Sequence, residues 1–186
     1  MRAILAVFVI LSLGVPSSVV LAQPGGATWR LEIPRPEKGC EFPDFPLPDT
    51  DGKLVWFNDY RGKPLLLTFC SCYTDTCCPI LNELEQLRAR YGGRVTMILV
   101  CCETSPALAR GAYLKLQEQC RGLADRVLID DGWVTKVPFL VNELPTTYLI
   151  DPAFCLRFKA VSVADLNTPE FAAELERVVA GQQSPP

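Results

Sequence analysis

Residues 65–91 read Leu-Leu-Leu-Thr-Phe-Cys-Ser-Cys-Tyr-Thr-Asp-Thr-Cys-Cys-Pro-Ile-Leu-Asn-Glu-Leu-Glu-Gln-Leu-Arg-Ala-Arg-Tyr. Leu65 to Phe69 is a short apolar run of the kind that forms a strand buried on both faces. From Pro79 to Tyr91 the period changes. Ile80, Leu81, Leu84, Leu87 and Tyr91 recur at helical spacing, and Gly92-Gly93 supplies the stop. A buried strand that passes through a short loop into an amphipathic helix is a β–α unit, and Cys70, Cys72, Cys77 and Cys78 all lie in or beside that loop.

The pattern continues outward on both sides. Val95 to Val100 predicts a second buried strand, and Ser105-Pro106 the start of a helix carrying Leu108, Tyr113, Leu116 and Cys120. Val127 to Ile129 and Thr147 to Ile150 predict further strands, and Leu156 to Val161 another after a turn at Asp151-Pro152. Thr168-Pro169 opens the last helix, with Phe171, Leu175 and Val178 inward. Upstream, Asp49 to Gly52 is a turn, and Leu54, Trp56 and Phe57 form a short strand or edge segment. Strands alternating with helices, with a late strand–turn–strand, imply an α/β protein built on a sheet of mixed direction flanked by helices.

Composition narrows the chemistry. The 186 residues are 49% hydrophobic and 21% charged with a net charge of −3, which suits one globular domain and gives no electrostatic reason to bind nucleic acid. There is no histidine, which removes Ser-His and Cys-His catalysis and His-ligated metals. There are nine cysteines, an odd number, so at least one thiol is left over from any set of internal disulfides. The N-terminus reads as a secretory signal peptide over residues 1–22. Arg2 precedes an apolar run from Ala3 to Val15, and Val20-Leu21-Ala22 places small residues before a cleavage point after Ala22. The expected organisation is a signal peptide at 1–22, an irregular lead-in at 23–40, one domain at 41–180 and a disordered tail at 181–186. All nine cysteines would then lie in the exported part, periplasmic or otherwise extracytoplasmic, with no stable membrane span after cleavage.

Two blocks carry a family resemblance over about residues 41–180. Phe42-Pro43-Asp44-Phe45-Pro46-Leu47-Pro48-Asp49, Asp51-Gly52-Lys53 and Asp59-Tyr60-Arg61-Gly62-Lys63-Pro64 make one. Leu144-Pro145-Thr146-Thr147-Tyr148-Leu149-Ile150-Asp151 makes the other. They resemble the thioredoxin-like redoxins, of the TlpA/ResA, AhpC/TSA and Sco types. The resemblance implies a thioredoxin-like fold with the redoxin N-terminal extension, a cis proline at Pro145 facing the active thiols, and thiol–disulfide chemistry. A proline opening a buried strand fits independently, because it has no N–H to give the ladder.

The active loop departs from the family. No Cys-x-x-Cys occurs between Phe69 and Pro79. Aligned on the TlpA type, Thr74 takes the attacking position and Cys77 the resolving one. Aligned on the Cys-Pro of peroxiredoxins and Sco-type proteins, Cys78 is the key thiol. The Sco-type copper histidine is missing, and the peroxiredoxin arginine has no counterpart near Pro145.

The residues themselves give a mechanism. A thiol at a helix N-terminus is acidified by the macrodipole and unpaired amides. With Pro79 as the first helical residue, Cys78 is the N-cap and Cys77 lies just outside. The competing frame puts Thr74 at the cap and Pro79 well inside, where it strains the turn. Cys78 is therefore the expected nucleophile, with Cys77 or Cys72 resolving the mixed disulfide and Pro145 completing the site. No cofactor is expected. The partners expected are protein or small-molecule thiols and disulfides, with an unidentified redox partner.

Two other functions compete. Cys72, Cys77, Cys78, Cys101 and Cys102 offer an all-thiolate site for Cu(I) or Zn(II), or the cysteines are staples in a catalytically silent scaffold. Cys101 and Cys102 read equally as a thiol relay or as buried hydrophobes. Cys40, Cys120 and Cys155 read as structural. Glu143 and Asp75 are candidate proton acceptors, and Trp56, Phe57 and Phe139 read as core or edge packing.

Overall fold

The computed structural model describes residues 6–10, 17–22, 28–33, 36–71, 77–103, 118, 124–131, 135–136 and 139–181. In chain order the strands are β1 (Ala6–Ile10), β2 (Ser17–Ala22), β3 (Thr28–Ile33), β4 (Pro46–Pro48), β5 (Leu54–Trp56), β6 (Leu65–Cys70), β7 (Thr96–Glu103), β8 (Arg126–Asp131), β9 (Thr146–Ile150) and β10 (Leu156–Ala160). The helices are α1 (Cys77–Tyr91), α2 (Val163–Leu166) and α3 (Pro169–Val179).

The central sheet has the order β10-β9-β6-β7-β8. Strands β6, β7 and β8 are parallel, while β9 and β10 run antiparallel. The mixed sheet expected from sequence is therefore present. The apolar run of β6 is buried at every position, as the middle strand of a covered sheet requires. Strand alternation divides its neighbours between two cores. Leu65, Leu67, Phe69, Ile98, Val100 and Tyr148 pack with Phe42, Phe57, Phe139 and Phe154 on one face. Leu66, Cys70, Met97, Leu99 and Leu149 pack under α1 and α3 on the other. Thr68 and Thr147 stand opposite in the ladder and join hydroxyls at 3.0 Å, so neither polar group is stranded in the core.

Several boundaries differ from the sequence pattern. Helix α1 begins at Cys77, two residues before the expected Pro79. Proline is tolerated there because the first N–H groups of a helix have no intrahelical acceptor, so Pro79 costs no bond. Strand β7 runs on past the expected Val100 to Glu103, and Cys101 and Cys102 are paired in its C-terminal part. Phe57 opens a short 3-10 turn over Phe57–Tyr60 instead of ending a strand. Strand β3 lies in the segment expected to be irregular and pairs with β2; Trp29, Leu31 and Ile33 alternate there with Thr28, Arg30 and Glu32, a period-2 pattern masked by the surrounding Pro and Gly. Strands β1 and β2 fall within the stretch read as a signal peptide. The helix expected from Ser105 lies outside the described residues apart from Glu118, which is helical.

The last helix matches its signals. Thr168 caps it by accepting from the Phe171 amide at 3.2 Å, Pro169 takes the first turn, and Phe171, Leu175 and Val178 are buried.

Candidate active site

The strand ends and helix start expected to hold the chemistry come together at one edge of the sheet. In the parallel ladder, Cys70 at the end of β6 stands opposite Cys101 of β7. On its other side β6 pairs with β9, where Phe69 faces Thr146. Pro145 is therefore one residue beyond the rung next to Cys70. The Leu144–Pro145 peptide bond is cis, and Pro145 is buried.

The chain before Pro145 is tied down by three side chains. Thr146 Oγ1 donates to the Glu143 carbonyl at 2.7 Å, the Lys159 ammonium donates to the Leu140 carbonyl at 2.7 Å, and the Tyr148 hydroxyl donates to the Phe139 carbonyl. Burial pushes the Tyr148 phenol above its ordinary range and pulls the Lys159 ammonium below its own. Tyr148 holds its main-chain oxygen from within the core and Lys159 from the surface.

Of the predicted site residues, Cys72 lies outside the described residues, as does Asp75. The backbone places Cys77 and Cys78 both in the first turn of α1. This corrects the frame in which Cys78 alone caps the helix. The positive end of the macrodipole now bears on two adjacent positions rather than one. Glu143 is exposed, as expected of a solvated loop carboxylate.

One group at this edge escaped the sequence reading. Glu103, the last residue of β7, is 7% exposed, and its Oε1 accepts from Ser71 Oγ at 3.1 Å. That bond ties the end of β7 to the first residue after β6. Its signal was available in the extent of the β-run after Val100, which the cysteine pair obscured. Beside it stands a sulfur whose role the sequence left open. Cys101 is disulfide-bonded and fully buried. Its neighbour Cys102 is a buried thiol whose sulfur lies 3.7 Å from the Val100 carbonyl. Adjacent in sequence, the two face opposite ways, Cys101 toward α1 and Cys102 into the aromatic core. They do not share one ion, which removes the all-thiolate site drawn with both. Among the described residues, no group of three Cys, Asp or Glu side chains is placed to hold a metal.

Cys40 is an exposed thiol and Cys155 a half-buried one. They lie on adjoining segments, with Leu156 N–H donating to the Cys40 carbonyl at 3.0 Å. Phe57 and Phe139 are fully buried, and Trp56 is exposed at the edge.

Comparison with known proteins fits this arrangement. The AhpC/TSA family profile matches residues 38–159. The chain belongs to the AhpC/TSA family. Within the wider thioredoxin-like group it is similar to the thiol-disulfide oxidoreductase ResA of Geobacillus thermodenitrificans, 32% identical over 116 residues that cover 61% of this chain and 63% of that protein. It is also similar to the thioredoxin-like protein YneN of Bacillus subtilis, 26% identical over 121 residues covering 62% and 66% respectively. The chain thus spans less than two thirds of the length of these relatives. Among solved structures it superposes on a putative thiol:disulfide interchange protein DsbE from Chlorobium tepidum with a TM-score of 0.66. That match has 22% identity and covers 77% of this chain and 99% of the other. The AhpC/TSA member described here therefore has a thioredoxin-like fold. None of its described helices is long and apolar enough to cross a membrane.

Proposed function

We propose that this AhpC/TSA protein is an exported thiol–disulfide oxidoreductase that works through the first-turn cysteines of α1. What supports the reading is that the cis Leu144–Pro145 bond falls beside Cys70 at the end of β6, the strand end against which Ile80 and Leu81 of the cysteine-bearing helix pack. A thiolate at a helix start is stabilised by the dipole and the unpaired amides. Pro145, having no N–H, leaves an interruption in its own ladder where an extended substrate can align. Relatives that carry the name thiol-disulfide oxidoreductase support the same chemistry.

In this reading Cys78 attacks one sulfur of a substrate disulfide. The departing thiolate is protonated by solvent, and a second protein thiol breaks the mixed disulfide. Proximity in sequence nominates Cys77 or Cys72 for that second step. Substrates are protein or small-molecule disulfides, and an external dithiol restores the reduced protein. The working unit is residues 41–180, and export through a signal peptide over residues 1–22 keeps it where disulfides persist. Cleavage after Ala22 takes β1 and β2 with it.

Reduced protein is expected to catalyse insulin or glutathione-disulfide reduction above the rate of free dithiothreitol. A rate no greater than dithiothreitol alone overturns the proposal. N-terminal sequencing of exported protein is expected to begin at Gln23.

A further inference from the structure

We propose that Cys101 is the resolving thiol of this site, closing a reversible disulfide with a first-turn cysteine of α1, Cys77 or Cys78. The inference rests on the exchange reading above and puts Cys101 in the resolving role there given to Cys77 or Cys72.

Cys101 is already disulfide-bonded. Of the nine cysteines, Cys40, Cys70, Cys102 and Cys155 are thiols. The sulfur joined to Cys101 therefore belongs to Cys72, Cys77, Cys78 or Cys120. A disulfide needs its two Cα atoms within about 7 Å. Cys101 shares a buried cluster with Cys70 and with Ile80, Leu81 and Leu84 of α1. The first two turns of α1 thus lie on the sheet face, and at the strand end, where Cys101 sits. Cys77 and Cys78 begin that same helix, immediately before Ile80.

Burial then sorts the roles. Cys101 has no exposed surface, so it cannot meet a substrate disulfide directly. It can react only with a sulfur that the protein itself brings to it, which defines a resolving thiol.

The steps balance as follows. A first-turn thiolate attacks a substrate disulfide, forming a protein–substrate disulfide and releasing one substrate thiolate, which takes a proton from solvent. Cys101 attacks the protein sulfur, and its proton passes to the departing substrate sulfur. The internal disulfide forms, and the second substrate thiol leaves. Two electrons pass from the protein to the substrate, and an external dithiol returns them.

The test begins with the natively oxidised wild-type protein, acid-quenched and alkylated, then cleaved before Asp75 to separate Cys72 from Cys77 and Cys78. Mass spectrometry is expected to find Cys101 linked to the Cys77–Cys78 peptide. Linkage to Cys72 or Cys120 overturns the assignment. Folded protein is then titrated with dithiothreitol. The Cys101 linkage is expected to open while the near-ultraviolet circular dichroism stays native, and to re-form with one equivalent of substrate disulfide reduced. A linkage that persists until unfolding marks a staple and overturns the proposal. Cys101→Ala is expected to accumulate the substrate mixed disulfide and lose at least about tenfold in turnover, a modest part of what removing a catalytic nucleophile costs. If wild type turns over and Cys101→Ala keeps pace with it, only the resolving role fails. If wild type reduces no disulfide, the exchange reading itself fails.

Discussion

The two faces of the central sheet are built from different materials. On one, Phe42, Phe57, Phe69, Phe139, Tyr148 and Phe154 form a block of contacting rings, with Phe139 touching Phe42, Phe45, Phe57 and Phe69 at centroid separations between 5.4 and 6.2 Å. On the other, aliphatic side chains from β6, β7 and β9 meet α1 and α3, and the sulfurs of Cys70 and Cys101 are set among them. Interlocked rings hold a fixed shape and add edge and stacking terms to their buried area. Aliphatic packing under a helix supplies area without that directional lock. In the proposed function one face holds the strand ends in register and the other presents the reacting groups. Cys101 and Cys102 show how fine the division is, since one step along β7 separates a bonded sulfur from a packed thiol.

The largest effect is expected from the helix side. Replacing Cys77 and Cys78 together by Ser should reduce disulfide reductase activity to the uncatalysed thiol rate while circular dichroism and thermal midpoint stay near those of the reduced wild type. Activity surviving in the double variant would move the chemistry away from the start of α1. Of the single variants, Cys78→Ser should lose more than Cys77→Ser. Iodoacetamide at about pH 6, where an ordinary thiol is almost wholly protonated, should label Cys78 first in the reduced protein.

The aromatic side should respond in stability instead. Phe139→Ala removes the ring that four others touch, and buried Phe→Ala changes cost about 3–5 kcal/mol. Urea unfolding should show a loss of that size. A loss under about 1 kcal/mol would mean that the block relaxes into the hole, contrary to the rigidity attributed to it. A smaller and more discriminating comparison is Cys102→Ala. It removes one buried sulfur from the aromatic face, at about 1 kcal/mol by the scale of a buried methylene, and should leave disulfide exchange unchanged. If Cys102→Ala slowed exchange as much as Cys101→Ala, the two faces would not be functionally separate.

Much of this arrangement was legible in the sequence. The apolar run at Leu65 and the helical period from Ile80 to Tyr91 specify a β–α unit because each pattern satisfies only one geometry. Thr168-Pro169 specifies a capped helix because the hydroxyl and the fixed φ both suit its first turn. The family blocks pointed to Pro145, whose peptide bond is cis. What the sequence concealed depends on tertiary neighbours. Whether α1 starts at Cys77 or Pro79 is decided in a turn where proline is neutral, so neither residue type nor spacing discriminates. The fates of Cys101 and Cys102 follow from a strand longer than its apolar run suggested, because cysteine reads equally as a hydrophobe or a ligand. Glu103 is a charged residue that local pattern assigns to a loop, and only pairing with β8 carries the strand on to it.

A last comparison concerns how the aromatic face is closed at its edge. The β4–β5 hairpin contributes Phe45, Leu47 and Val55 to that core, and its turn is held by Asp49, whose side chain is 6% exposed. One carboxylate oxygen accepts from the amides of Asp51 at 3.0 Å and Lys53 at 2.9 Å, and the other accepts from Arg126 of β8 at 2.8 Å. Burial alone would raise this carboxyl, but the two amides and the guanidinium more than offset it and hold it below its ordinary 3.8. A folded-state pKa below the unfolded value means that the stabilisation is fully present above about pH 4 and is lost as the pH falls through the folded value. Acid should therefore loosen the hairpin before the helix side. Hydrogen exchange at about pH 3 should show protection lost over residues 46–56 while α1 remains protected, the exchange rates being referred to the intrinsic rate at that pH. Asp49→Asn keeps the shape but gives up the charge, so it should cost about 1–3 kcal/mol at neutral pH and flatten the acid limb of the stability curve. An acid limb as steep in Asp49→Asn as in wild type would place the sensitive carboxylate elsewhere. Simultaneous loss of protection in α1 would show that the two faces open as one unit.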